Sequence, residues 1–106
     1  MENLTQLNCR VFDYELPKEL EGIYRLHERI YCKCLSYYFK AEFAMQDRNF
    51  SSRLREMIEY GGTVNLEQYQ KDLKQQSELA ALFDQEAQKF DIIICPSTAD
   101  EAPVGL

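Results

Sequence analysis

Phe90-Asp91-Ile92-Ile93-Ile94-Cys95-Pro96-Ser97-Thr98, running on to Ala102-Pro103-Val104-Gly105-Leu106, is the stretch whose reading decides the fold. Three consecutive isoleucines are apolar on both sides of an extended chain, the pattern of a strand buried on both faces of a sheet. Pro96 lacks the backbone donor that a ladder needs, so the strand is expected to end near Cys95. A doubly buried strand requires sheet neighbours and covering layers, and 106 residues supply few of them. The chain is therefore expected to be part of something larger.

Working back from that strand, residues 65–89 predict a long helix. Asn65 can cap it, with Gln68 three residues on in the capping-box position, and Leu66, Tyr69, Leu73, Ala80, Phe83, Ala87 and Phe90 form one stripe. The stretch 70–78 is largely polar and is expected to be solvated. Before it, Ser51 or Ser52 can cap a short helix over residues 52–60, with Leu54, Met57 and Ile58 inward and Gly61-Gly62 as its stop. Residues 18–45 predict one helix of about 28 residues, roughly 42 Å long. Its apolar positions Leu20, Ile23, Tyr24, His27, Ile30, Tyr31, Cys34, Leu35 and Tyr38 recur at three and four, the signature of one buried stripe. Leu26, Tyr37, Phe39, Phe43 and Ala44 widen that stripe. Pro17 suits a helix start, and residues 9–16 alternate loosely as a first strand. The expected fold is a mostly helical α/β fragment: strand, long helix, short helix, long helix, buried strand. It would form a single unit over residues 1–106 within a larger mixed sheet.

Composition limits the partners. A net charge of -6 argues against nucleic acid, because phosphate contacts need clustered Lys and Arg. No apolar run reaches the ~20 residues of a membrane span, and the N-terminus lacks a signal-peptide core, so the cytoplasm is expected. Cys32 and Cys34 are two apart on a helix and point to nearly opposite faces. With His27 as the single histidine, no metal site is expected. The cysteines read as mostly buried thiols.

Candidate chemistry is thin. Cys95 with His27 could make a thiol–imidazole dyad, but burial at the end of an apolar run raises a thiol pKa and works against a nucleophile. Glu19, Glu21 and Glu28 sit beside Lys18, Arg25 and Arg29, the pattern of a solvated charged face and not of an acid–base pair. Gly61-Gly62-Thr63 follows a helix and lacks phosphate-loop spacing. No catalytic residue and no cofactor are assigned.

The terminal motif resembles a segment of the amidase signature family, in which an aromatic-Asp pair, an aliphatic strand, Pro-Ser or Pro-Thr and then Ala-Pro occur late in the catalytic domain. The stretch 11–17 ending in Leu16-Pro17 is similar to that family's preceding strand, and Tyr24 to Glu28 to its following helix. Ser51-Ser52-Arg53-Leu54-Arg55, Gly61 and Tyr69 match the usual spacing between them. The resemblance covers residues 9–106 and implies amide hydrolysis for a parent protein, by a serine, a bridging cis-serine and a lysine. None of these three occurs here in a matching motif, and the Gly/Ser-rich loop is absent. The resemblance thus implies a structural late segment, inert in isolation, whose partner is the remainder of the amidase domain or a second copy of itself. Pro96, Ser97 and Thr98 would be its only pocket-lining residues. Cys95 departs from the usual aliphatic, Thr or Ser at its position. The other function the residues allow is a stand-alone helical protein-interaction module.

Overall fold

A computed structural model of the chain describes residues 9–45 and 50–97. These residues form a 3₁₀ turn at Lys18–Leu20 followed by four helices. The helices are α1 (Ile23–Tyr38), α2 (Lys40–Ala44), α3 (Ser52–Thr63) and α4 (Leu66–Ala87). Among the described residues there is no strand, which overturns the expected α/β fragment with a mixed sheet. Residues 9–16 and 92–96 carry no regular structure. Extended backbone becomes a strand only when a neighbour accepts and donates its hydrogen bonds. Neither segment pairs with the other.

The isoleucine run is accordingly open to solvent. Ile92, Ile93 and Ile94 are 78%, 45% and 68% exposed. Cys95, expected in a core, is exposed as well.

The single helix expected over residues 18–45 is broken in two places. Gly22 stands at the N-cap of α1 and separates it from the 3₁₀ turn; glycine inside a helix costs about 1 kcal/mol relative to alanine. The second break is at Phe39, with φ -97° and ψ 16°. Its N–H still donates to the Leu35 carbonyl at 2.9 Å, and its carbonyl accepts from the Phe43 N–H at 2.9 Å, so α2 continues the path of α1 after a kink. The Phe39 ring meets Phe50 edge-on at 5.7 Å. That contact lies far along the chain and no helical period could announce it.

Helix α3 starts as expected, with Ser51 Oγ accepting the Leu54 N–H at 3.2 Å. It does not stop at the two glycines but runs through them to Thr63. Gly61 serves another purpose. A Cβ there would lie 1.8 Å from the Cys32 carbonyl oxygen, so only glycine lets α3 approach α1 at this crossing. The Val64 side chain is buried, and Asn65 opens α4 at once, its Oδ1 accepting the Gln68 N–H at 2.8 Å. Helix α1 is the central element, packed against α3 on one side and α4 on another.

The molecule is thin. Its Cα atoms span 59 × 39 × 18 Å with a radius of gyration of 19.1 Å, where a compact globule of this length would have roughly 13 Å. Among the described residues, the buried apolar side chains are Leu20, Leu26, Cys32, Ile58 and Val64. Among the same described residues, seventeen large hydrophobic side chains are exposed, which leaves much apolar surface uncovered.

The stripe expected to be the buried face of α1 is largely the open one. Tyr24, Tyr31 and Tyr38 are 84%, 47% and 74% exposed, whereas Leu26 and Cys32 are sealed. Helical arithmetic explains the inversion. At 100° per residue Leu26 points away from the tyrosines and Cys32 lies on the flank beside them, where its carbonyl meets Gly61 of α3. Periodicity locates a stripe but does not say what covers it.

Candidate functional site

The most buried of the polar side chains hold helices together. The principal case is Asp72, the one polar residue among the described residues that is fully buried, at 1% exposure. Arg29 on α1 grips it with two bonds: Nε donates to Oδ2 at 2.8 Å and Nη2 to Oδ1 at 2.7 Å. Gln68, one turn earlier on α4, donates its Nε2 to Oδ1 at 2.9 Å. The Arg29 hydrogen bonds hold the Asp72 carboxyl below its ordinary range, against the opposing effect of burial, and Gln68 adds to them. The same bonds raise the Arg29 guanidinium. A carboxylate held ionised and sealed by a forked guanidinium has no free lone pair directed at solvent, so it is unsuited to proton transfer. It fixes the register of α1 on α4.

Farther along the same interface, Cys34 Sγ lies 3.7 Å from the Tyr69 hydroxyl, which raises the Tyr69 pKa. Cys32 is buried at the α3 crossing, and that burial pushes its thiol up, with Glu28 adding to the effect. A thiol so shifted is a poor nucleophile at neutral pH.

At the other end of α4, the segment 9–16 is tied down. The Tyr14 hydroxyl donates to the Glu86 carboxylate, which Lys89 Nζ also contacts at 2.6 Å. Lys89 and then Tyr14 lower the Glu86 carboxyl, and the bond to Glu86 raises Tyr14. The rings of Phe12 and Tyr14 lie 5.6 and 4.7 Å from that of Phe90. Beside this corner a groove of about 490 Å³ opens between Leu16, Pro17, Leu20, Ile23 and Tyr24 on one wall and Leu79, Ala80 and Phe83 of α4 on the other. Its lining is mostly apolar, with Glu21 and Gln76 as its polar members.

The residues singled out from sequence fall elsewhere. Pro96 and Ser97 are exposed, and Thr98 lies outside the described residues. Neither Pro96 nor Ser97 lines the groove. His27 stacks on Tyr31, ring centroids 5.7 Å apart and planes 11° from parallel, while Cys95 is exposed on the terminal segment. Their contacts do not bring the thiol and imidazole together. Arg29 and Asp72 were passed over by sequence reasoning, because Asp72 falls in the polar stretch 70–78 expected to be solvated. Hydropathy carries no mark for a charged residue that turns inward to meet a partner 43 positions away.

Among the described residues no group of three or more His, Cys, Asp or Glu is placed to hold a metal ion, and no helix is long and apolar enough to cross a membrane. No protein-family model, curated protein or solved structure matches the chain.

Proposed function

We propose that this chain is a non-catalytic late segment of an amidase-signature hydrolase, a helical layer that covers the rest of the catalytic domain and contributes no reacting group. The observation that carries the reading is the exposure of Ile92, Ile93 and Ile94, at 78%, 45% and 68%. Three adjacent isoleucines left in water are uncommon unless another surface covers them. The thinness of the helical layer favours the same reading. So do the jobs done by the residues of the resemblance. Ser51 caps α3, Gly61 admits the α1 crossing and Tyr69 contacts Cys34. A family would hold such positions for packing, and none of them needs to touch substrate. On this reading Pro96, Ser97 and Thr98 follow the docking segment toward the substrate side, and the compartment is the cytoplasm.

The test is the open reading frame on the transcript upstream of Met1. An in-frame Gly/Ser-rich loop with its serines and lysine is the expected result, together with no ammonia release from simple amides by the isolated chain. Turnover by the isolated chain that disappears in Cys95→Ala would overturn the reading. So would a messenger that encodes these 106 residues alone; that outcome favours the helical interaction module, for which the open tyrosine face of α1 is the supporting observation.

A further inference from the structure

Of the chain's seven tyrosines, Tyr24, Tyr31, Tyr37 and Tyr38 lie in α1, Tyr60 in α3 and Tyr69 in α4. Tyr14 is the exception. It stands within residues 9–16, which have no regular structure and are exposed throughout. Enzymes that act on peptide side chains commonly take the substrate as an extended chain, and a tyrosine inside a helix offers its hydroxyl in that form only after the helix unwinds. Asp13 and Glu15 flank Tyr14, and Glu19 and Glu21 follow with Lys18 as the only cation among them. Charge patterns of this kind are what kinase clefts discriminate.

The same hydroxyl ties the segment down. Tyr14 Oη donates to Glu86 Oε2, and the Tyr14 ring lies edge-on to Phe90 with centroids 4.7 Å apart. With Phe12 on Phe90 at 5.6 Å, these contacts hold the segment against the end of α4. A phosphoryl group on Oη removes the donated hydrogen and sets a charge of about -1.5 to -2 in its place. The bonds from Lys89 and then Tyr14 hold the Glu86 carboxyl below its ordinary range, so acceptor would face ionised acceptor. Lys89 does not offset this. Its Nζ already meets both Glu86 oxygens, at 2.7 and 2.6 Å. The C-terminal end of α4 at Ala87 adds the negative end of the helix dipole.

We propose that Tyr14 is the site at which a tyrosine kinase modifies this chain, and that its phosphate releases residues 9–16 from α4, freeing the stretch that leads into the Leu16–Pro17 wall of the groove. The co-reactant is ATP with Mg²⁺. Tyr14 Oη attacks the γ-phosphorus, the new O–P bond forms as the bond to the ADP oxygen breaks, and the phenolic proton passes to the kinase's base and then to solvent. The site rests on the 9–16 segment alone and is independent of the amidase reading, which neither its success nor its failure decides.

The experiment incubates the full chain with a broad-specificity tyrosine kinase and Mg·ATP and maps the phosphate by mass spectrometry. Tyr14 should be modified first, and Tyr14→Phe should remove most of the incorporation. Earlier modification of the more exposed Tyr24, Tyr37 or Tyr38, or no incorporation at any tyrosine, overturns the site. Release is read by trypsin cleavage after Arg10, with phosphorylated and plain peptides of residues 9–20 correcting for the effect of the phosphate on trypsin itself. After that correction the phosphorylated chain should be cut about fivefold faster than the unmodified one, because cleavage follows the population of the open segment and one hydrogen bond to a charged group is lost. An equal or slower rate, as a phosphate paired with Lys89 would give, overturns the release. Both readings use the parent sequence, so neither depends on how a variant folds.

Discussion

Replacing Asp72 with alanine removes three acceptor contacts at once and leaves the Arg29 guanidinium facing a sealed site. Breaking a buried ion pair on one side costs roughly 3–5 kcal/mol, because the orphaned charge keeps its desolvation penalty. Arg29 retains 28% side-chain exposure and can swing its head into water, so the cost falls at or just below that range, about 2–3 kcal/mol. The companion variant carries Arg29→Met with Asp72→Leu. With both charges gone and similar volume restored, it should recover to within about 1 kcal/mol of the parent chain. Urea unfolding followed by far-UV circular dichroism, at a concentration low enough to keep the chain monomeric, reads both. The pH dependence gives a second measure. The Asp72 carboxyl is held in the fold below its ordinary value of 3.8, chiefly by its hydrogen bonds from Arg29. Between those two values the unfolded chain binds the proton and the folded chain does not, so this contribution is complete above about pH 4 and is lost as pH falls through the folded value. In that window the parent chain should lose up to about 1.4 kcal/mol per pH unit more than Asp72→Ala does. A loss below about 1 kcal/mol in Asp72→Ala, or identical acid limbs for the two proteins, would refute the role given to this pair.

Gly61→Ala puts a methyl group 1.8 Å from the Cys32 carbonyl oxygen and must push α3 off α1; a loss of about 1–3 kcal/mol is expected in the same urea assay. Gly62→Ala, with nothing within 4 Å, should be neutral or slightly stabilising, and equal effects at the two sites would show that the crossing is not close. Asn65→Ala removes the cap that accepts the Gln68 N–H and should cost about 1 kcal/mol, while Asn65→Asp keeps the acceptor and should not. Phe90→Ala takes away the ring on which Phe12 and Tyr14 rest, so trypsin should cut after Arg10 faster than in the parent chain. An unchanged cleavage rate would mean that the aromatic corner does not hold the 9–16 segment.

What could be read from the sequence divides by distance along the chain. The starts of α3 and α4 were legible because Ser51 and Asn65 bond to N–H groups three residues away, and such a bond is local by nature. The glycines after Tyr60 were misread because the same residue type serves two ends. At a helix terminus it relaxes the backbone, and at a crossing it removes a side chain. Only the Cys32 carbonyl, 29 positions away, says which applies to Gly61. Asp72 shows the same limit in charge, since its identity declares a surface residue until Arg29 arrives to neutralise it. The isoleucine run and the tyrosine stripe belong together at the far end of this scale. Both patterns were read as surfaces that need cover. The isoleucine run was assigned a sheet in a larger protein, and the tyrosine stripe was read as the buried face of one long helix. The structure packs α1 through Leu26 and Cys32, off the tyrosine stripe, and gives residues 92–94 no regular structure. An amphipathic pattern therefore reports that apolar surface will be buried somewhere, and is silent on whether the burying surface is encoded in the same 106 residues. Here the tyrosines of α1 and the isoleucine run both face outward.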